Sequence, residues 1–292
     1  MIVVKLWGGL GNQLFEYAYG FAIAKRTGEK LYLDTSWFAK QNLRSPEILK
    51  MKIRYDNIGD FSENKPVIRL LNSRIPNILM RIPPFACYKV GEIHYLKESR
   101  YRYDERIQKY SIPCSYLDGY WQCPKYFDEI RPELLDMYTP KEMSDRAKEI
   151  CDNLMNKNSC AIHVRRGDYR KKRRFYSRLQ MIGDTYYHDA ITLMSQIGCD
   201  FYLFSNGIDE ASNMIEGITG FAPNVLCKGK EFDALEEWMM MRSCQNQIIG
   251  NSTFSWWCAY LNDHDGKRVF APNKYMGNDN IIPEKWEKLP VE

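Results

Sequence analysis

Apolar segments separated by polar turns make up the first 34 residues of the chain. Residues 2–7 (IVVKLW) read as a strand that ends at a glycine-rich turn, and apolar residues then recur at helical spacing between 14 and 22. Gly28 is a plausible end for that helix, and residues 30–34 (KLYLD) follow as a second strand. This order of strand, glycine loop, helix and strand predicts the start of an α/β domain. Residues 40–110 show no clear period.

A second α/β series follows a polar segment at 141–158. That segment has a weak helical pattern and suits a linker, so we expect an amino-terminal domain over 1–150 and a carboxyl-terminal domain over 151–292. Such alternation predicts a parallel sheet with helices on both faces, and therefore an α/β fold. The predicted elements are strand 160–164, a helix near 186–198, strand 200–206, helix 233–244, strand 246–250, a loop and helix over 251–261, and a strand within 267–272.

Composition narrows the class of protein. The chain has 292 residues, 45% hydrophobic and 27% charged, which suits a globular protein with two domains. A net charge of +4 argues against a nucleic-acid partner. No apolar run approaches the roughly 20 residues that span a bilayer, and the start lacks a signal-peptide pattern. Nine cysteines without a CxxC pair or zinc spacing indicate reduced thiols and a cytoplasmic protein.

Polar residues beyond the predicted strands are the candidates for chemistry, since ligands of parallel sheets bind at the carboxyl ends of the strands. In the first turn, Gly9 and Gly11 fit a dinucleotide-binding pattern, but its third position is Leu14. The backbone N–H groups of such a loop, with Asn12, can contact a ligand. A tight turn without a ligand is an equal alternative.

The stretch 160–169 (CAIHVRRGDY) places two arginines at the end of a buried strand. Arg165 and Arg166 point to opposite faces, so one can meet a ligand while the other pairs with a carboxylate. A guanidinium binds two phosphate oxygens at once, which favours an anion site. A structural pair between an arginine and Asp168 is the alternative.

Residues 251–257 (NSTFSWW) lead from a strand into an apolar helix. Asn251 and Ser252 are good helix caps, and a helix N-terminus also holds a phosphate without a metal. Ordinary capping explains the same residues, and Trp256 and Trp257 also suit a core. Together with the arginines on another strand of the same sheet, the segment favours a diphosphate ligand.

Two further motifs look like functional sites but have simpler explanations. Asp263-His264-Asp265 spells the D-x-D of many metal-dependent sugar transferases, but it follows a helix and reads as a turn, so we expect no metal site. Residues 170–174 (RKKRR) favour a solvated loop over a nucleic-acid patch. Their place after the double arginine also allows contact with an anionic acceptor or a lipid surface.

Three blocks together resemble the α-1,2-fucosyltransferases, bacterial members especially. They are GGLGNQLFEYAYGFAIAK (8–25), HVRRGDY (163–169) and IIGNSTFSWWCAYL (248–261), and the resemblance spans nearly the whole chain. It implies a GT-B type glycosyltransferase, with two Rossmann-like domains facing across a cleft and GDP-fucose held mainly by the second. It also implies an inverting, metal-independent transfer, with no cofactor beyond the donor substrate. L-Fucose would pass from GDP-β-L-fucose to the 2-hydroxyl of a terminal galactose.

The resemblance assigns roles to matching residues. Arg165 would bind the diphosphate and stabilise its departure, and Asn12 would reach across the cleft toward fucose. Asp168 is the candidate base by position. The residues expected to contact the nucleotide sugar are Gly11, Asn12, His163, Arg165, Ser205, Asn206, Glu237, Asn251, Ser252, Thr253, Phe254 and Ser255.

Two departures from the family leave contacts open. Ser205-Asn206-Gly207 stands where the family usually shows Ser-Asp-Asp, so a carboxylate contact expected there is in doubt. The acidic residue expected upstream of the last block is Glu237 or Asp233, and the spacing favours Glu237.

Partners follow from the same resemblance. The acceptor would be a galactose-terminated oligosaccharide, free or lipid-linked, and a lipid-linked acceptor would imply peripheral contact with the inner membrane face. A related transferase with another linkage and a carbohydrate-binding protein without turnover are the alternatives. The second is disfavoured because a neutral glycan would leave two arginines unpaired.

Overall fold

The computed structural model describes residues 1–61, 85–98, 103–165, 182–227, 229, 231–275, 278 and 280–291. The chain divides into two units, Met1–Thr139 and Pro140–Glu292. The division falls before the predicted boundary at 150, because the helix Asp145–Met155 packs against the helix Ala234–Ser243 of the second unit.

The first unit contains a six-stranded sheet with the order β3-β2-β1-β6-β5-β4. All neighbours are parallel except β4, which forms an antiparallel hairpin with β5. The elements are β1 (Ile2–Lys5), α1 (Leu10–Thr27), β2 (Leu31–Asp34), β3 (Asn57–Gly59), β4 (Phe85–Val90), β5 (Ile93–Glu98), α2 (Glu105–Gln108), β6 (Ser115–Asp118) and α3 (Arg131–Met137), with short 3-10 helices at Phe38–Lys40, Glu47–Lys50, Pro124–Tyr126 and Asp128–Ile130.

Strand β1 lies at the centre of this sheet, and the chain leaves it toward β2 on one side and returns to β6 on the other. Helix α1 ends at Gly28, whose φ of +67° is the left-handed conformation that closes a helix. The close approach of α1 to the sheet occurs at Gly20, where an added Cβ would stand 2.0 Å from a methyl carbon of Val4. Leu14, at the position where the dinucleotide fingerprint requires glycine, is fully buried.

The second unit contains a five-stranded parallel sheet with the order β11-β10-β9-β7-β8. Every residue of β7, which lies between β9 and the edge strand β8, is buried. The elements are α4 (Asp145–Met155), β7 (Ser159–Val164), α5 (Asp184–Ser195), β8 (Asp200–Ser205), α6 (Ile208–Thr219), α7 (Ala234–Ser243), β9 (Asn246–Ile248), α8 (Thr253–Leu261), β10 (Val269–Pro272) and β11 (Glu287–Leu289).

The α/β fold class with two Rossmann-like domains, which a GT-B type glycosyltransferase requires, is confirmed by these two sheets. Trp256 and Trp257 are fully buried and therefore belong to the core. The unassigned region 40–110 supplies β3 and the β4–β5 hairpin. Among the described residues, no helix combines the length and the apolar character that a bilayer crossing needs.

Candidate functional site

Arg165 and Ser252 meet at the carboxyl edge of the second sheet. Arg165 directly follows β7, and Ser252 lies between β9 and α8. From β7 the chain goes to β8 on one side and to β9 on the other, so the gap between β7 and β9 is a topological switch point. The guanidinium Nη1 of Arg165 lies 3.5 Å from the hydroxyl oxygen of Ser252 across this gap. The two predicted anion-binding segments are therefore neighbours.

The start of α8 is formed by residues 251–255, which are buried or partly buried. Ser252 is the N-cap residue and is 1% exposed, yet among the described residues its hydroxyl makes no capping bond to the helix. The Ser255 hydroxyl instead donates to the Ser252 carbonyl at 3.1 Å, which fixes Ser255 as part of the turn. Asn251 and Thr253 are buried, and Phe254 is partly buried. The N-terminal N–H groups of α8 lie beside a cation, which favours an anionic ligand.

His163 is buried two residues before Arg165. Its Nδ1 atom has no hydrogen-bond partner among the described residues, while its backbone carbonyl accepts from the Tyr187 hydroxyl at 3.1 Å. Burial, and then the charge of Arg165, lower the pKa of His163 to about 3. The ring is therefore neutral at physiological pH and can accept or donate one hydrogen bond without adding charge. Gly250 packs directly on this residue, since an added Cβ would stand 2.9 Å from the His163 carbonyl oxygen.

The remaining predicted residues of this unit lie on β8 and α7. Ser205 ends β8, and its hydroxyl accepts from the Gly207 backbone N–H at 3.1 Å; Asn206 is exposed. Glu237 lies on α7, which packs against α8, and burial raises its pKa. Asp233 caps α7 through two backbone N–H groups. Because the Asp233 carboxylate is committed to the cap, Glu237 stays the acidic candidate.

Some predicted residues are not part of this cluster at the edge of the second sheet. Arg166, Asp168 and the basic run 170–174 lie outside the described residues. Asp263 and Asp265 are exposed in the turn after α8, as expected for a helix-ending segment. Within the described parts of the chain, no group of three His, Cys, Asp or Glu side chains is arranged to hold a metal ion.

The first unit has a second cluster at its own switch point, the gap between β1 and β6. Gly11 and Asn12 lie in the first turn of α1, and the Asn12 side-chain oxygen accepts from the Gln122 amide at 3.1 Å. Trp7 and Tyr120 stack with ring centroids 4.1 Å apart and planes 13° apart. Both contacts join the turn after β1 to the turn after β6. The Asn12 amide nitrogen lies over Gly8, 2.9 Å from the place of an added Cβ, and Gly8 has a φ of +76°.

Buried carboxylates hold these two turns. Glu16 accepts from the Trp7 backbone N–H at 3.0 Å, and its other oxygen has no hydrogen-bond partner among the described residues. Burial raises the pKa of Glu16 well above its usual value. Glu98 accepts from the backbone N–H groups of Tyr120 and Trp121 at 2.8 and 2.9 Å, and burial raises its pKa to about 7.

Asp118, at the end of β6, completes the charged surroundings of these glutamates. Burial acts to raise its pKa, but Lys5 at 3.1 Å and Lys97 at 3.6 Å hold the pKa below its usual value. The Asp118 carboxylate is therefore ionised, and its negative charge contributes to the raised pKa of both Glu16 and Glu98.

Sequence reasoning missed Trp7, Glu98, Tyr120 and Gln122. The signal for the last two was the order in residues 115–122 (SYLDGYWQ), where an apolar run is followed by a glycine and polar residues. Recognition of 115–118 as a strand would have placed Tyr120 and Gln122 at the carboxyl edge of the sheet. Glu98 had no such signal, because it ends an amphipathic strand within a region without clear period.

Comparison with known proteins identifies the family. The model of glycosyl transferase family 11 matches residues 1–288, so the chain belongs to this glycosyltransferase family. Membership confirms the resemblance to α-1,2-fucosyltransferases and defines the protein as a glycosyltransferase.

Curated relatives of two kinds cover the chain. The α-1,2-colitosyltransferase of Escherichia coli is 27% identical, with 99% of each chain covered. The O-antigen biosynthesis glycosyltransferase WbnK of Escherichia coli is 28% identical, over 97% of this chain and 99% of that protein. Galactoside alpha-(1,2)-fucosyltransferase 2 of Bos taurus is 23% identical, over all of this chain and 80% of the bovine one.

Proposed function

We propose that this glycosyltransferase moves L-fucose from GDP-β-L-fucose to the 2-hydroxyl of a terminal galactose, with inversion and without a metal. The acceptor is an oligosaccharide or a glycolipid, and the cytoplasm is the proposed compartment. The observation that carries the proposal is the approach of Arg165 to Ser252 at the switch point of the second sheet. A guanidinium beside a helix N-terminus suits the diphosphate of a nucleotide sugar. The fucosyltransferase relatives support the sugar and the linkage.

In this reaction the bond between fucose C1 and the β-phosphate oxygen breaks, and a bond from the galactose 2-oxygen to C1 forms. Negative charge grows on the departing GDP while the sugar ring becomes cationic. Arg165 and the N–H groups that start α8 are oriented before the reaction, so they stabilise that charge without reorganisation. In metal-dependent transferases a divalent ion stabilises this charge; here Arg165 and the N–H groups of α8 do so.

The other site residues bind and orient the donor. His163 is neutral, and its Nδ1 atom has no partner within the described parts of the chain, so it offers a hydrogen bond to the nucleotide; Glu237 provides an acidic contact beside α8. Asn12 contacts the fucosyl group through its side-chain amide, whose oxygen accepts from Gln122. The proton of the acceptor hydroxyl passes to Asp168, the carboxylate nearest to Arg165 in sequence.

Colitose is a second candidate for the transferred sugar, because a colitosyltransferase matches the chain from end to end. Colitose is fucose without the 3-hydroxyl. A site that hydrogen-bonds this hydroxyl rejects the deoxy sugar strongly, because its polar groups would stay unpaired. The preference between the two donors is therefore measurable as a ratio of kcat/KM values.

Incubation with GDP-fucose and lactose, followed by NMR of the product, tests the proposal. We expect an α-1,2 linkage, with undiminished activity in EDTA. Thermal shift with GDP, UDP and lactose is the binding control; a ligand at about 100 times its Kd stabilises by roughly 2.7 kcal/mol. GDP should stabilise and UDP should not. Another linkage, a requirement for a divalent ion, or faster transfer from GDP-colitose would each overturn part of the proposal. Stabilisation by lactose alone would favour a carbohydrate-binding protein.

A further inference from the structure

The turn that follows β6 is held in an unusual conformation. Trp121 is not a glycine, yet its φ is +56°, and it is fully buried. Gly119 leaves no room for a side chain, since an added Cβ would stand 2.4 Å from Cβ of Glu98. Left-handed backbone at a bulky residue persists only where the surroundings impose it. The turn therefore depends on the groups that contact it.

Glu98 is the group that fixes the turn. One carboxylate oxygen accepts from two successive backbone N–H groups, those of Tyr120 and Trp121. Loss of this acceptor oxygen would leave two backbone donors unpaired. The position of the turn is thus set from β5, a neighbouring strand.

The same turn determines the orientation of Asn12. Gln122 donates to the Asn12 oxygen, and the Tyr120 hydroxyl lies 3.3 Å from the place of a Cβ on Gly8, close to the Asn12 side chain. Because the oxygen of Asn12 is directed toward Gln122, its amide nitrogen is directed toward Gly8. A contiguous path of hydrogen bonds and backbone therefore runs from Glu98 through the turn 119–122 to Asn12.

We propose that Glu98 is a positioning residue for fucosyl transfer, which acts through the turn 119–122 to orient the side-chain amide of Asn12. The inference rests on the proposed function, in which Asn12 contacts the fucosyl group. Glu98 itself touches no substrate. Its loss should lower kcat and leave the binding of GDP to the second unit unchanged.

A double-mutant cycle tests this role. We expect Glu98→Met to lower kcat about 10- to 100-fold, since a displacement of about 1 Å can cost about 100-fold. Glu98→Gln keeps an acceptor oxygen and should recover part of the loss. In an Asn12→Ala background, Glu98→Met should lower kcat by less than about twofold more, because the group through which it acts is already absent. GDP should produce the same thermal shift in every variant.

Gln122→Met provides a route that leaves the Glu98 hydrogen bonds intact. It removes the amide that donates to Asn12, so it should lower kcat and should also be non-additive with Asn12→Ala. This variant decides the matter if Glu98→Met does not fold. Asp34→Asn is the matched control: Asp34 is a buried carboxylate at the end of β2 that accepts from Tyr116 and Ser36. It should lower the Tm, and any small effect on kcat should add to that of Asn12→Ala.

If the wild type transfers fucose, additive effects of Glu98→Met and Asn12→Ala would overturn the role of Glu98. Unchanged kcat in Gln122→Met would overturn it as well. Absence of transfer by the wild type would overturn the proposed function itself, and the role of Glu98 with it.

Discussion

The guanidinium of Arg165 lies 3.5 Å from the hydroxyl of Ser252, although 87 residues separate them in the chain. Arg165 follows strand β7, and Ser252 is the N-cap residue of α8, which follows the neighbouring strand β9. Each parallel strand ends at the same edge, so the fold brings a fixed cation and a helix N-terminus to one place. This pairing accounts for an arginine at the end of a buried strand.

Replacement of Arg165 should affect turnover more than folding. We expect Arg165→Ala to lower kcat about 100- to 1000-fold, equivalent to about 2.7–4 kcal/mol of lost transition-state stabilisation. Arg165→Lys keeps the charge but loses the planar fork, so its activity should fall between those of the wild type and the alanine variant. Steady-state kinetics with saturating donor and acceptor measure both.

Arg268→Ala serves as the control for the loss of an arginine from the same unit. Arg268 precedes β10 and makes a bidentate pair with Glu287, with both distances 2.8 Å. Its pair is partly exposed, so kcat should stay within about twofold of the wild type. Equal losses in the Arg165 and Arg268 variants would contradict a specific role for Arg165.

Ser252→Ala should separate binding from stability. Its hydroxyl makes no capping bond within the described residues, so the Tm should change little. A hydrogen bond to a charged phosphate is worth about 1.5–3 kcal/mol, which predicts at least a tenfold rise, roughly, in the Kd for GDP.

Asp233→Ala should have the opposite effect, because its side chain caps α7 through Leu235 and Glu236. Loss of such a cap costs about 0.5–2 kcal/mol of folding stability, and we expect the Kd for GDP to stay unchanged. Calorimetric titration and thermal melts measure the two variants side by side. A tighter or unchanged Kd in Ser252→Ala would count against the anion site.

The burial of His163 predicts a specific dependence of stability on pH. Its pKa is about 3 in the folded protein and about 6.5 when unfolded, so the unfolded state binds the proton more readily. The contribution of His163 is therefore complete above pH 6.5 and is lost progressively as the pH falls toward 3. At pH 5 the loss should amount to about 2 kcal/mol.

Urea unfolding of the wild type and of His163→Gln at pH 7 and pH 5 checks this prediction. The variant lacks the titrating group, so the free energy of unfolding should fall less between the two pH values than in the wild type. An identical fall in both proteins would show that folding does not lower the pKa of His163.

The contact between Gly20 and Val4 predicts a repairable steric clash. Gly20→Ala places a Cβ about where a Val4 methyl group lies, and such overpacking typically costs about 1–3 kcal/mol. Val4→Ala removes the methyl group and should restore part of the Tm in the double variant. Thermal melts of the three variants measure the coupling between the two positions. Additive changes in Tm would contradict a clash between residue 20 and Val4.

The sequence predicted the second unit better than the first. Strands 160–164 and 200–206 and the helix beginning near 251 are strongly apolar, and their ends carry polar residues. The elements, and the meeting of Arg165 and Ser252 at one sheet edge, could therefore be predicted, while anion binding there stays a prediction. The D-x-D at Asp263 was likewise identified as a turn from its position after a helix.

The first unit was harder for physical reasons. Its edge strands, such as β3 (Asn57–Gly59), are short and polar, and β5 carries a histidine and charged residues because it lies near the edge of the sheet. Glu98 makes its contacts with backbone N–H groups of a turn more than 20 residues away. No local pattern encodes such a contact, so the link from Glu98 to Asn12 becomes visible only in the folded structure.

Binding of GDP and GMP to the wild type and to Arg165→Ala tests the central claim most directly, because the two nucleotides differ only in the β-phosphate. We expect the wild type to bind GDP at least about tenfold more tightly than GMP, as a charge-assisted hydrogen bond of about 1.5 kcal/mol or more requires. Arg165→Ala should lose most of that preference while it binds GMP normally. An undiminished preference for GDP in the folded variant would contradict the assignment of Arg165 to the diphosphate.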